Sequence, residues 1–328
     1  MHRLIACVLA LLSPILAGAA TVTVSDSDGQ PLGTAMVTRT VVGADVVDTS
    51  DNGYPRPGVV NRVVPQHTKF TGADGSVSFD PLAAQGERNY RVRKQGYADE
   101  LVTAADDNAA IEVSLRKLTD PKEIAESKPA NLWLSELRFR DVDNPRQMRE
   151  HFLRHCGFCH QQGSSFMRIP RTEEQWADII DRMQMYGAMA SEDFVDEAPA
   201  ALVRAHANLD ARYAQLPAFE RRDPALSAAT ITEWPLGDGF SQMHDFILHP
   251  NGKVYVGDNL MDRIYAVDPE SGEYEVFKVP HDEGAQPGGI LGNRMGTYPK
   301  TDNFMGVHSF AIAPSDGHIF LTPSMQQE

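Results

Sequence analysis

Residues 151–167 read HFLRHCGFCHQQGSSFM. Cys156 and Cys159 stand three apart, His160 follows the second directly, and the chain has one other cysteine, Cys7. Cys-x-x-Cys-His is the spacing at which two thiols form thioethers with haem vinyl groups while the next imidazole ligates the iron. Helical spacing puts both sulfurs on one face. A disulfide or half of a zinc site would use the same pair, but a zinc site needs a second ligand pair at comparable spacing, and none is present. The pattern predicts one covalent haem c, with Cys156 and Cys159 as the thioether positions and His160 as proximal iron ligand.

Helical text surrounds this stretch. Asp143 or Asn144 can cap a helix that Pro145 opens, and "RQMREHFLRHC" runs from there into the cysteines. Thr172 with Gln175 forms a capping box at the head of "RTEEQWADIIDRMQMYG", and Gly187 is placed to end it. Trp176, Ile179, Ile180 and Met183 share one face of that helix. A third helical stretch covers 191–215, with Pro199 near its start or bending it. For the sixth iron ligand, Met167, Met183, Met185 and Met189 all lie downstream, although methionine at helical spacing is usually core. Met183 shares its face with Trp176 and Ile180, whereas Met185 points about 180° away from Trp176, so Met183 is the expected distal ligand. Bis-histidine ligation through His151, His155 or His206 is the open alternative, although it lacks a matching pattern. "WADIIDRMQMYGAMASED" resembles the segment around the distal methionine of small cytochromes c. That resemblance implies Met183 as ligand, Tyr186-Gly187 as the turn and Ser191 as the next helix cap. Met185 departs from it, since a small residue or proline is commoner there.

The N-terminus has His2 and Arg3, an apolar run from Leu4 to Leu16, and then Ala17, Gly18, Ala19 and Ala20. A short positive end, an apolar core and an A-x-A exit describe a secretory signal peptide, here residues 1–20, with the mature chain beginning near Ala20 or Thr21. Export to the periplasm or beyond removes Cys7 and fits covalent haem attachment, itself an extracytoplasmic process. No stretch of the body is apolar enough to span a bilayer, so no transmembrane anchor is expected. The formal charge is −15, from 30 basic and 45 acidic residues. That speaks against nucleic acid and anionic lipid as partners and permits steering toward a basic redox protein.

Residues 21–118 read as short alternating strands separated by Gly, Asp, Asn and Pro, an antiparallel sandwich; 42–69 looks like an elaborated loop. "VTVSDSDGQPLGTAMV", "TGADGSVSFDPL" and "YRVRKQGYADE" together resemble the carboxypeptidase regulatory-like module, which implies a transthyretin-like sandwich. Asp26, Asp28 and Asp74 could hold calcium, but acidic residues in hairpin turns more often serve the backbone. A charged connector, 119–140, leads to the haem segment at 141–217.

From residue 229 strands return. His-x-Phe-x-x-x-Pro occurs as His244, Phe246, Pro250 and again as His308, Phe310, Pro314, each copy followed by a Gly turn and a strand. An internal repeat of this kind indicates a β-propeller. The wording resembles the streptogramin-lyase-like (virginiamycin B lyase-like) propellers. The copies lie farther apart than the usual blade period of about 40–50 residues, which marks 283–303 as an insertion. Residues 229–328 are too few for a ring of about four blades. The chain therefore reads as truncated, as the N-terminal piece of a longer product, or as an unclosed propeller, with truncation the most economical. His244, His249, His281 and His308 invite a catalytic reading, but a repeat requires the matching pair, and no catalytic residue is assigned.

The expectation is a multidomain chain: an N-terminal all-β transthyretin-like sandwich, a central all-α cytochrome c domain and a C-terminal partial β-propeller. Its expected function is one-electron transfer by an exported c-type cytochrome, with the sandwich and propeller docking a redox partner or binding a small molecule or peptide. The alternatives are a haem-containing propeller oxidoreductase or lyase whose catalytic blades lie beyond this chain, and a binding protein with structural haem.

Overall fold

The computed structural model describes residues 19–46, 59–129, 132–157, 162, 165–185, 188–217, 228–239, 241–288 and 303–324. In chain order the first strands are β1 (Ala20–Asp26), β2 (Met36–Val41), β3 (Asn61–Arg62), β4 (Gln66–Phe70), β5 (Ser76–Phe79), β6 (Arg88–Arg93), β7 (Glu100–Ala104) and β8 (Ala110–Leu115). The alternation of "ATVTVSD" buries Ala20, Val22 and Val24 on one face of β1. β1 is the centre of a three-stranded sheet, antiparallel to β5 and parallel to β8, with Val22 opposite Val77 and Ile111. The facing sheet runs β7-β6-β2-β4 and ends on β9 (Ile231–Glu233), which pairs with β4 from far along the chain. Val37, Phe79, Tyr90 and Leu115 fill the space between the sheets. Asp107, itself buried, joins Arg88 at 2.8 Å and Arg39 at 3.2 Å beside that core.

The acidic turn residues serve the backbone. Asp26 accepts the N–H groups of Asp28 and Gln30, and Asp74 accepts the N–H and hydroxyl of Ser76.

Six α-helices follow: α1 (Pro121–Glu126), α2 (Pro145–His151), α3 (Ser165–Arg168), α4 (Glu173–Met185), α5 (Glu192–His206) and α6 (Leu209–Ala214). Asn144 caps α2 ahead of Pro145, Thr172 and Gln175 exchange the two bonds of a capping box, and Ser191 caps α5. Pro199 lies inside α5; the break comes instead at Asn208, whose φ is 52°. Trp133, Leu137 and Phe139, from the stretch read as a connector, join Trp176, Phe194 and Leu202 in one apolar cluster. No described helix is long and apolar enough to cross a membrane.

The C-terminal strands are β10 (Met243–Leu248), β11 (Val254–Asp258), β12 (Arg263–Val267), β13 (Glu273–Lys278), β14 (Val307–Ile312) and β15 (Ile319–Pro323). β10 to β13 form an antiparallel meander whose far edge is β3, and β14-β15 is a separate hairpin. β3 docks because Gly272, at φ +73°, brings the β12–β13 turn against Val63: the Val63 N–H donates to the Gly272 carbonyl at 3.0 Å, and a Cβ at Gly272 would strike the Val63 carbonyl.

This architecture corrects the expected fold class. Fifteen strands stand against six helices among the described residues, and four of those helices have only four to seven residues. A central all-α cytochrome domain is not seen, because the apolar cluster between the helices is completed by irregular chain and a 3₁₀ turn at Leu132–Ser135. Neither a closed barrel nor a propeller is present among the described residues. The β10 to β13 sheet is finished, beside β13, by an N-terminal strand rather than by a following blade. The sandwich is mixed rather than antiparallel, through the β1–β8 pairing.

Candidate functional site

Helix α2 passes into a π-helical turn, Phe152–Cys156, that buries Phe152 in the helical cluster and brings Cys156 to the wall of a cavity. Gly157 follows immediately. A Cβ there would lie 2.6 Å from the Leu153 carbonyl oxygen, so the smallest residue is needed to leave the turn. The Gln162 amide donates to the Cys156 carbonyl and holds the chain as it returns toward α3.

The cavity encloses about 340 Å³ between this turn, α3, α4 and α5. Phe152, Trp176, Ile179, Ile180, Phe194 and Leu202 make its walls apolar. Met183, from the last turn of α4, and Met167, from α3, both line it; Met185 and Met189 do not, and they are 45 % and 81 % exposed. His155 lines it as well, beside Cys156. His151 stacks edge-on against His155 at 5.5 Å without lining the cavity.

Two arginines face this apolar space. Arg171 and Arg182 line the cavity. Burial lowers the Arg171 pKa, and its guanidinium donates to the carbonyls of Met167, Ile169 and Phe166 rather than to a carboxylate. Trp176 Nε1 is buried with no hydrogen-bond acceptor, although a buried indole N–H ordinarily has one. Arg171 lies over the Trp176 ring at 4.9 Å, and two cationic side chains on an apolar lining suit a ligand that is largely apolar and carries acidic groups at its edge. Sequence reading missed Arg171 and Arg182 as cavity residues, whereas His155 was among the histidines it weighed as iron ligands. Arg171, next to the Thr172 cap, had only its position to mark it.

His206 lies under the cavity floor, between Trp133 at 5.8 Å and Trp176 at 4.9 Å. Its Nδ1 donates to the Leu202 carbonyl at 2.8 Å. Burial drives this imidazole down to about 4; the Leu202 bond opposes the shift, and Arg171 and Arg212 add to it. Its ring is core, not cavity wall. Farther out, Arg168 ties α3 to Asp210 of α6 at 3.0 Å and to Glu126 of α1.

Of the four residues expected to hold the haem, Cys156 and Met183 come together on one cavity. Cys159 and His160 lie outside the described residues, as do the Tyr186-Gly187 turn and the apolar N-terminal run. Among the described residues no cluster of three or more His, Cys, Asp or Glu could hold a metal ion.

No protein-family model matches this chain, and no curated protein matches it. Among solved structures, it aligns with 3-chlorocatechol 1,2-dioxygenase from Rhodococcus opacus 1CP at 11 % identity, over 30 % of this chain and 60 % of that one, with a TM-score of 0.20. It also aligns with a streptococcal ancillary pilin at 20 % identity, over 32 % of this chain and 34 % of that one, with a TM-score of 0.21. The chain thus spans less than two thirds of either structure, and similarity at that level carries no inference about fold or function.

Proposed function

We propose that this chain is an exported one-electron carrier with a single covalent haem c. The observation that supports it best is the shared cavity wall: Cys156 of the Cys-x-x-Cys-His motif and Met183 both face one apolar space. In this reading Cys156 and Cys159 hold the porphyrin through thioethers, His160 is the proximal ligand and Met183 the distal one. The bound group supplies a metal centre that cycles by one electron, and a thioether ligand raises its potential relative to two imidazoles.

The chain's own residues do the rest. The aromatic and aliphatic walls exclude water from the ring. Arg171, Arg182 and the Trp176 N–H are the donors available to its propionates. Phe166, which lines the cavity and is 65 % exposed, marks where the cavity meets solvent and a redox partner can approach. The acidic charge of the chain favours a basic partner at that face, and the flanking sheets offer docking surface.

The test is an absorption spectrum of the protein exported from a host that matures c-type cytochromes. A c-type spectrum that resists acid–acetone extraction, with a long-wavelength methionine band lost in Met183→Ala and kept in Met185→Ala, is expected. A purified chain without covalent haem in that host would overturn the reading. Loss of the band in Met167→Ala alone would move the distal ligand to Met167.

A further inference from the structure

The two copies of the His-x-Phe-x-x-x-Pro repeat come together. β10 carries His244 and β14 carries His308, and their imidazoles lie 4.4 Å apart, centroid to centroid, with 37° between planes. Both residues are exposed, so the stacking is not imposed by core packing. The scaffold beneath them is rigid. Asp245 accepts the N–H groups of Phe246 and Phe310 and so locks the two repeats in register. The Asn259 amide donates to the Val307 carbonyl at 3.0 Å. Gly257 admits β14 onto β11, since a Cβ there would press on Val307 and Phe310.

The hydrogen bonds also choose the tautomer. His244 Nδ1 lies 2.9 Å from the His308 carbonyl oxygen, which can only accept, so Nδ1 carries the proton and Nε2 the lone pair. His308 Nδ1 lies 2.9 Å from the Ser309 hydroxyl, which can accept in the same way. An imidazole whose Nδ1–H is held by an oxygen while Nε2 stays available is the arrangement of a metal-bound histidine. His249 contrasts with this pair: its Nε2 meets the Gly317 carbonyl and its Nδ1 accepts the Asn251 N–H, so both nitrogens are engaged.

The geometry points to a two-imidazole site for a divalent transition-metal ion, Cu(II) above all, at His244 and His308. The two rings lie close enough to share one ion, imidazole nitrogen suits copper, and Cu(II) binds nitrogen sites most tightly among the divalent first-row metals. No third protein ligand stands by among the described residues, so water or a small oxygen or nitrogen ligand completes the shell.

The test is titration of the full chain with Cu(II) by calorimetry, with electron paramagnetic resonance on the loaded protein. One equivalent that shows coupling to two imidazole nitrogens is expected, bound at least 10-fold more weakly in His244→Gln and in His308→Gln. His281→Gln serves as the control and should leave it unchanged. Because both side chains are exposed, the variants should keep the wild-type circular dichroism. Should either variant unfold, diethylpyrocarbonate labelling of the wild-type chain, with copper shielding His244 and His308, reports the same contact. Copper affinity unchanged in both variants, or labelling of both histidines undiminished by copper, would overturn the assignment.

Discussion

Acid should weaken the fold through His206 in a defined window. The imidazole is buried between two tryptophans and has its pKa lowered to about 4, from 6.5 in an unfolded chain. Above pH 6.5 both states are neutral and the group is indifferent. Between 6.5 and about 4 the unfolded chain takes up a proton that the folded chain refuses, so stability falls as pH drops. Below about 4 the loss is complete. At about 1.36 kcal/mol for each tenfold, the gap comes to about 3 kcal/mol, a large share of a typical domain's stability. Urea unfolding of the full chain at steps from pH 8 to 4, followed by tryptophan emission, measures it directly because Trp133 and Trp176 flank the ring. His206→Gln keeps a donor for the Leu202 carbonyl but cannot titrate. The variant should lose about 3 kcal/mol less than wild type across the window, whatever its stability at pH 8. Parallel curves for the two proteins would refute the buried, neutral imidazole.

Three further outcomes are expected. Burial alone would raise the Asp107 pKa, yet the Arg88 bond, the Leu82 N–H and Arg39 hold it below the ordinary value. Asp107→Asn strands two buried guanidiniums and should cost about 3–5 kcal/mol, read from urea midpoints at pH 7; a loss under 1 kcal/mol would mean that Arg39 and Arg88 find other partners. Gly272→Ala forces a side chain into the left-handed region and onto the Val63 carbonyl, at a cost of about 2 kcal/mol. Its signature is faster amide exchange at Asn61 and Val63, and unchanged exchange there would count against the docking of β3. Ala20 is the first residue of β1, wholly buried and opposite Phe79; for a chain exported as proposed, cleavage should leave it in place, N-terminal sequencing of the mature protein should read ATVTVSD, and a start at Thr21 would refute the need for Ala20 in β1.

The sequence was most legible where one local rule sufficed. "ATVTVSD" and "AIEVSL" announce strands by alternation, but alternation does not report direction, so the parallel β1–β8 pairing was invisible. The caps at Asn144, Thr172 and Ser191 were readable because each satisfies its own helix end. β3 and β9 have only two and three residues, and they are strands only because distant edges accept them. Pro199 reads as near the helix start or bending it, while the structure keeps it inside α5 and puts the break at Asn208, a residue type that tolerates the left-handed region. At the candidate site, Cys156 and Met183 could be picked out by spacing and helical face. Arg182 could not, since a charged side chain on an amphipathic helix ordinarily reads as solvated, nor could Arg171, which lies in the connection ahead of α4.

β9 and β3 have a consequence for how the chain reaches its native state. Synthesis proceeds from the N-terminus, yet the β7-β6-β2-β4 sheet keeps an open edge at β4 until Ile231–Glu233 arrives, and β13 takes its last neighbour from a strand made long before it. Each sheet takes one edge strand from the far side of the helical segment, so each keeps one bare edge until the other end of the chain is made. Pairings this distant in sequence form slowly, and a half-made chain shows bare strand edges. Folding one sheet at a time therefore leaves work undone in this protein: the edges at β4 and β13 are each completed only by a strand from the other end of the chain.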